Sequence, residues 1–85
     1  MPAHPQLVLL GKKLRALREA RGYSQENFAL ETGLARSYYS GIERGHRNLA
    51  ALNLIKIADA LGVEVGELFP DIKKLRTARP APARK

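Results

Sequence analysis

Residues 24–48 read SQENFALETGLARSYYSGIERGHRN, and within them two short helical patterns meet at Thr32-Gly33-Leu34. Gly33 stands at the centre of that connection, where the lack of a Cβ lets the backbone take positive φ and turn sharply. A short helix, a tight glycine turn and a second helix make a helix-turn-helix, an arrangement that sets its second helix in the major groove of DNA. That second helix, expected over about residues 35–43, carries Arg36, Ser37, Tyr38 and Ser40, and the loop after it carries Arg44, His46, Arg47 and Asn48. Cations, hydroxyls and amides are the groups that read base edges and grip phosphates.

The flanking sequence supplies the rest of an all-α domain. Leu7, Leu10, Leu14 and Leu17 recur at helical spacing, which makes one apolar stripe on a helix ending near Arg21. Gly22 suits a left-handed C-cap, with Tyr23 folding back on the last turn, and Ser24 is a good N-cap for the next helix. A fourth helix over about residues 50–61 has Ala51, Leu54, Ile57, Ala58 and Leu61 on one side, with Gly62 after it. A fifth, short one over about residues 65–69 is closed by Pro70. The expected organisation is a flexible arm over residues 1–6, one domain over 7–70 and a basic, disordered tail over 71–85, apart from Ile72 and Leu75, which could extend the last helix.

Charge is divided unevenly. The net charge is +7, but residues 1–70 hold nine Lys/Arg against seven Asp/Glu, and residues 71–85 hold six against Asp71 alone. The tail either adds non-specific affinity for nucleic acid or simply keeps the chain soluble. Between Lys12 and Arg47 there are eight basic and four acidic residues, whereas Asp59, Glu64 and Glu67 face only Lys56 later. Such a layout suits a domain with one end on phosphates and the other on a partner.

Several function classes are excluded. With no cysteine there is no disulfide, thiolate zinc site or cysteine nucleophile. No apolar run approaches the roughly 20 residues of a membrane span, and Leu7–Leu10, followed by Gly11-Lys12-Lys13, is too short for a signal sequence. A cytoplasmic protein is expected. No nucleophile–base set, carboxylate pair or complete phosphate loop is visible, so the chain is read as no enzyme, with no cofactor and no small-molecule ligand. His4 and His46 lack companion ligands, so no metal is expected.

The stretches SQENFA, TGL, SYYSGIERG and RNL, followed by NLIKIADALGV, resemble the phage-repressor (Cro/C1, or Xre) family of helix-turn-helix proteins over about residues 7–69. SGIERGHRNL in so short a chain is especially similar to the controller proteins of restriction–modification systems. The resemblance implies a compact five-helix, lambda-repressor-like DNA-binding domain and a small dimeric transcription regulator. It also implies that Gln25 clamps a backbone phosphate and braces the recognition helix, and that Arg18 pairs with Glu43 to orient one helix on another. Tyr39 takes the slot that resembling sequences fill with Ile or Val, which puts Tyr39 in the core and Tyr38 on the DNA; the reverse is the alternative. Three positions depart from the pattern: Asn27 weakens the cap at Ser24, and Ala35 and Ala50 stand where Ser or Thr usually caps a helix.

Within that frame Arg36 is the leading base reader, since a guanidinium donates two parallel hydrogen bonds to guanine. Ser37 lies beside it, and Tyr38 is expected to lie over the space left by Gly41, touching a thymine methyl or a phosphate. Gln25, Arg44, His46, Arg47 and Asn48 are assigned to the sugar-phosphate backbone, with the minor groove as the alternative for Arg47. Gly33, Arg18 and Glu43 give structural support.

Val63, Val65, Leu68 and Phe69 exceed what so small a core can bury, and are assigned to the interface of a homodimer on an inverted-repeat operator. If Leu68 and Phe69 fold back into the monomer, that interface weakens. The alternative from another class is an antitoxin whose patch around Phe69 holds a toxin.

Overall fold

The protein is described by a computed structural model over residues 3–78. Its elements are α1 (Pro5–Ala20), α2 (Gln25–Thr32), α3 (Arg36–Glu43), α4 (Ala51–Leu61), a 3-10 turn (Val65–Leu68) and α5 (Ile72–Ala78), with no strand among the described residues. The all-helical fold agrees with the sequence, although the fifth helical segment is a 3-10 turn and a further helix follows it.

Two boundaries differ from expectation. The N-terminal helix begins at Pro5, inside the segment assigned to an arm: proline suits the first helical position, and the His4 ring accepts the Gln6 N–H at 3.2 Å as an N-cap. Residues 72–78 form α5 inside the segment assigned to a disordered tail, so the excepted residues Ile72 and Leu75 are helical, and the helix is a separate one that takes in the residues between and after them. Leu75 is half-buried, and Asp71 caps the helix by accepting the Lys73 N–H at 3.1 Å. The rest of the arm and tail assignments, residues 1–2 and 79–85, lies outside the described residues.

The turns follow the glycines. Gly33 takes φ 75° as the C-cap of α2, and Leu34 N–H returns to the Ala29 carbonyl at 3.0 Å. Ser24 Oγ accepts the Asn27 N–H at 3.0 Å, whereas Ala35 and Ala50 offer no side-chain cap. A capping box between Glu64 and Glu67 starts the 3-10 turn.

Leu10 and Leu14 from α1, Phe28 and Ala29 from α2, Tyr39 and Ile42 from α3, and Ile57, Ala58 and Leu61 from α4 close one core with Leu68. Phe28 is central: its ring stands edge-on to both Tyr23 and Tyr39, at centroid distances of 5.1 and 5.2 Å. Gly11 lets α1 cross the end of α3 at backbone contact, because a Cβ there would overlap the Glu43 and Ile42 carbonyls. The helix-turn-helix is thereby fixed against α1.

Candidate nucleic-acid interface

The recognition helix is held by one buried carboxylate. Glu43, the last residue of α3, accepts Arg18 Nε at 2.7 Å and Arg18 Nη2 at 3.1 Å from α1. It also accepts the Tyr39 hydroxyl at 2.5 Å and Gln25 Nε2 at 2.8 Å from the first residue of α2. Arg18 completes the set by donating Nη1 to the Tyr23 carbonyl at 2.6 Å. Burial alone would push the Glu43 carboxyl up; hydrogen bonds from Arg18, Tyr39 and Gln25 outweigh it and hold the group below the ordinary carboxylate range. The hydrogen bond to Glu43 raises Arg18, while burial and then the bond to Glu43 raise Tyr39. The network is ionic at neutral pH and joins three helices at one point.

With Tyr39 turned inward, α3 turns its other face to solvent. Arg36 and Ser37 are exposed, Ser40 is half-buried, and Arg44 Nη1 donates to Ser40 Oγ at 3.3 Å. Ser37, Gly41, Arg44, His46 and Arg47 together line a concavity of about 380 Å³. Ala35 leaves the first N–H groups of α3 without a side-chain partner, so they are available to an acceptor on a ligand.

Gly41 is covered differently from expectation. Arg47, not Tyr38, lies over it: a Cβ at Gly41 would stand 3.0 Å from Arg47 Cγ. Tyr38 is held aside because its hydroxyl accepts Asn53 Nδ2 from α4 at 3.1 Å, and the Arg47 guanidinium sits 5.8 Å from the centre of its ring. The loop after α3 turns back on itself, with His46 N–H donating to the Gly41 carbonyl at 2.9 Å, which brings Arg47 onto α3.

The other assigned residues fall in two groups. Asn48 is exposed and shares a concavity with His4, Gln6 and Leu7. Gln25 is half-buried with its amide on Glu43, a bracing position that leaves one amide hydrogen for a phosphate. Of the residues assigned to a dimer interface, Val65 and Phe69 are exposed and Val63 is half-buried. Leu68 is a correction: the 3-10 turn folds it wholly into the monomer core, so it cannot also face a partner. Sequence reasoning missed Leu52 and Ile55, 73% and 54% exposed on the outward face of α4. Their i, i+3 spacing, off the buried side of that helix, was the available signal. It also missed Asn53 and the close approach at Gly11.

Residues 14–68 match the helix-turn-helix family. The chain is 48% identical over 68 residues to the control protein C.MunI of a Mycoplasma species, covering 79% of this chain and 92% of that one. Its fold is similar to the crystal structure of the restriction–modification controller protein C.AhdI from Aeromonas hydrophila, with TM-score 0.73 and 52% identity over 74% of this chain and 96% of that chain. It is similar also to the biofilm master regulator SinR, solved in complex with DNA, with TM-score 0.67 and 35% identity over 69% of this chain and 95% of that chain. A buried Arg18–Glu43 anchor, a glycine turn at Gly33 and an outward face of α3 bordered by Arg36, Arg44 and Arg47 accompany these matches, and the chain belongs to the helix-turn-helix family of DNA-binding transcription regulators, in its Cro/C1-type branch.

Proposed function

We propose that the chain is a controller-type regulator that binds an inverted-repeat operator as a homodimer, each α3 entering the major groove of one half-site. The observation that carries this reading is the concavity in which Ser37, Arg44 and Arg47 converge on the exposed side of α3, with Arg36 exposed at its first turn. Arg36, Ser37 and Ser40 then face bases, Tyr38, tied to Asn53, backs Arg47 instead of a base, and Arg44, His46, Asn48 and the remaining Gln25 hydrogen face phosphates. Arg47, stacked on Tyr38 and lying over Gly41, reaches the same groove. The exposed apolar side chains Leu52, Ile55, Val65 and Phe69 supply the apolar surface for a two-fold contact. A dimer of this kind sets its recognition helices on successive major grooves about 34 Å apart.

The test is selection of bound duplexes from a random pool at near-physiological salt, which suppresses purely electrostatic binding. Recovery of a two-fold repeat with half-sites about one helical turn apart is expected. Salt-sensitive binding that enriches no sequence would sink the reading.

A further inference from the structure

Helix α4 sends a polar side chain back toward the recognition helix. Asn53 is in its first turn, one helical turn before Ile57 and two before Leu61, both buried, so it continues the inward stripe of α4. An apolar residue would suit that place if packing were its whole purpose, since an amide there costs desolvation unless it is hydrogen-bonded. Asn53 is half-buried, and its Nδ2 donates to the Tyr38 hydroxyl of α3 at 3.1 Å.

Tyr38 in turn faces Arg47. The guanidinium lies 5.8 Å from the centre of the Tyr38 ring, within cation–π range. Gly41, one turn along the same side of α3, leaves the room that the Arg47 stem fills, with Cγ 3.0 Å from where a Cβ would stand. Backbone bonds bring the loop back onto α3: Gly45 N–H donates to the Ile42 carbonyl at 3.1 Å and His46 N–H to the Gly41 carbonyl at 2.9 Å. The ring and the glycine then set where the Arg47 side chain, long and exposed, comes to rest. A tyrosine on a helix has two common χ1 settings, and the bond from Asn53 selects the one that puts the ring beside Arg47.

We infer that Asn53 is a positioning residue for DNA reading: through Tyr38 it fixes the Arg47 guanidinium on the groove side of α3 before DNA arrives. This rests on the DNA-binding reading above and extends the recognition apparatus to α4, through a side chain that need touch neither base nor phosphate. An arginine already held in place gives up less side-chain freedom on binding than one caught from solvent, so the operator is bound more tightly. It also meets the same part of the groove in every complex, so the selectivity that Arg47 carries depends on Asn53.

Proton NMR of the free chain reads the arrangement directly, because protons over the face of an aromatic ring are shifted upfield. The Arg47 side-chain protons should show that shift in the native chain and lose it in Tyr38→Leu. They should lose most of it in Asn53→Ala and in Tyr38→Phe, each of which removes the bond between amide and hydroxyl. On the selected operator, Asn53→Ala and Tyr38→Phe should each weaken binding about three- to tenfold, and the two together no more than either alone. Neither should weaken binding further in an Arg47→Ala chain, whereas both should add fully to Arg36→Ala. Selectivity should be lost at the same base pairs in Asn53→Ala as in Arg47→Ala. A ring shift untouched by Asn53→Ala, or losses from Asn53→Ala and Arg47→Ala that simply add, would overturn the positioning role and leave the groove reading standing. Failure of the native chain to enrich any operator would instead overturn both.

Discussion

Arg18 and Glu43 form a two-pronged ion pair between α1 and the end of α3, Nε to Oε2 at 2.7 Å and Nη2 to Oε1 at 3.1 Å. Both side chains are almost fully enclosed, at 7% and 3% exposure. Removing one partner leaves the other charged and buried, so Arg18→Ala should cost about 3–5 kcal/mol in urea unfolding. The pH dependence follows from Glu43. Its folded pKa is depressed, so the stability it contributes is present above the unfolded value of about 4.3 and is lost as pH falls through the folded value. Tyr39 and Arg18 are raised, so their contributions persist through neutral pH and disappear only in strong alkali. Unfolding midpoints should therefore fall on the acid side, and Glu43→Gln, weaker at neutral pH, should show a flatter acid limb. An equally steep limb in Glu43→Gln would refute the assignment.

Two glycines should respond oppositely to alanine. At Gly11 a methyl group would overlap backbone carbonyls of Glu43 and Ile42, which cannot swing away as a side chain can. Gly11→Ala should destabilise by at least the ~1–3 kcal/mol usual for overpacking, and should displace α3 as well. Gly66, in the 3-10 turn, has open space around the added atom and no positive φ. Gly66→Ala should stabilise by about 0.4–1 kcal/mol through the unfolded chain. Thermal unfolding of the two variants side by side decides the matter, since identical shifts would contradict the packing at Gly11.

The contrast between these glycines also shows where sequence stops being informative. Gly33 and Gly62 were legible as helix ends because a left-handed C-cap is a local demand, and both take positive φ. The leucine stripe of α1 was legible because its period is local too. Gly11 stood out only as the residue before Lys12-Lys13, since its reason lies 32 residues away, at the Glu43 carbonyl. Leu68 and Phe69 are neighbours of similar hydropathy, yet one is 0% and the other 37% exposed, because the turn after α4 aims only the first inward. Helix α5 was legible only in part: Ile72 and Leu75 stood out as a possible extension of the last helix, but the hydrogen bond to Gln6 that docks it spans 69 residues. In the candidate site, the residues on α3 follow from helical geometry, but the return of Arg47 over Gly41 depends on how the loop closes.

Gly41→Ala should separate binding from folding. The added methyl would meet only the Arg47 side chain, at 3.0 Å from Cγ, and a flexible arginine can move aside. Stability should stay within about 0.5 kcal/mol of the native chain. Operator affinity should fall, toward that of Arg47→Ala, because the guanidinium loses its seat beside Tyr38. Combining both substitutions should then add little to Arg47→Ala alone. Full additivity in that cycle would mean Arg47 and Gly41 act independently.

Arg36 and Arg44 should fail in different ways. Arg36 is exposed on the first turn of α3, the part of a recognition helix that meets base edges. Arg36→Ala should relax selectivity at one position of each half-site, at a cost of about 1–3 kcal/mol. Arg44 follows the end of α3 and bonds Ser40, and in the proposed complex it faces a phosphate. Arg44→Ala should weaken all duplexes alike and lower the salt slope by about one per half-site. Titrations on matched and mismatched duplexes at several salt concentrations separate the two patterns, and a uniform loss for Arg36→Ala would move it from the bases to the backbone.

The outward face of α4 is the decisive place to test assembly. Leu52 and Ile55 are exposed and take no part in the core, so charging them leaves the monomer intact. Leu52→Asp with Ile55→Asp should change unfolding stability of the separated monomer by no more than about 0.5 kcal/mol per site. In a two-fold interface each residue meets the partner's copy of the same patch, so the substitution places like charges against one another twice. Sedimentation should then report a monomer for this variant and a dimer for the native chain. Affinity for the full inverted repeat should collapse toward that for a single half-site, because the second half-site no longer benefits from the tether between subunits. If the doubly charged chain still sediments as a dimer, the contact lies elsewhere, and Val65→Asp with Phe69→Asp, at the 3-10 turn and its exit, becomes the pair to charge next.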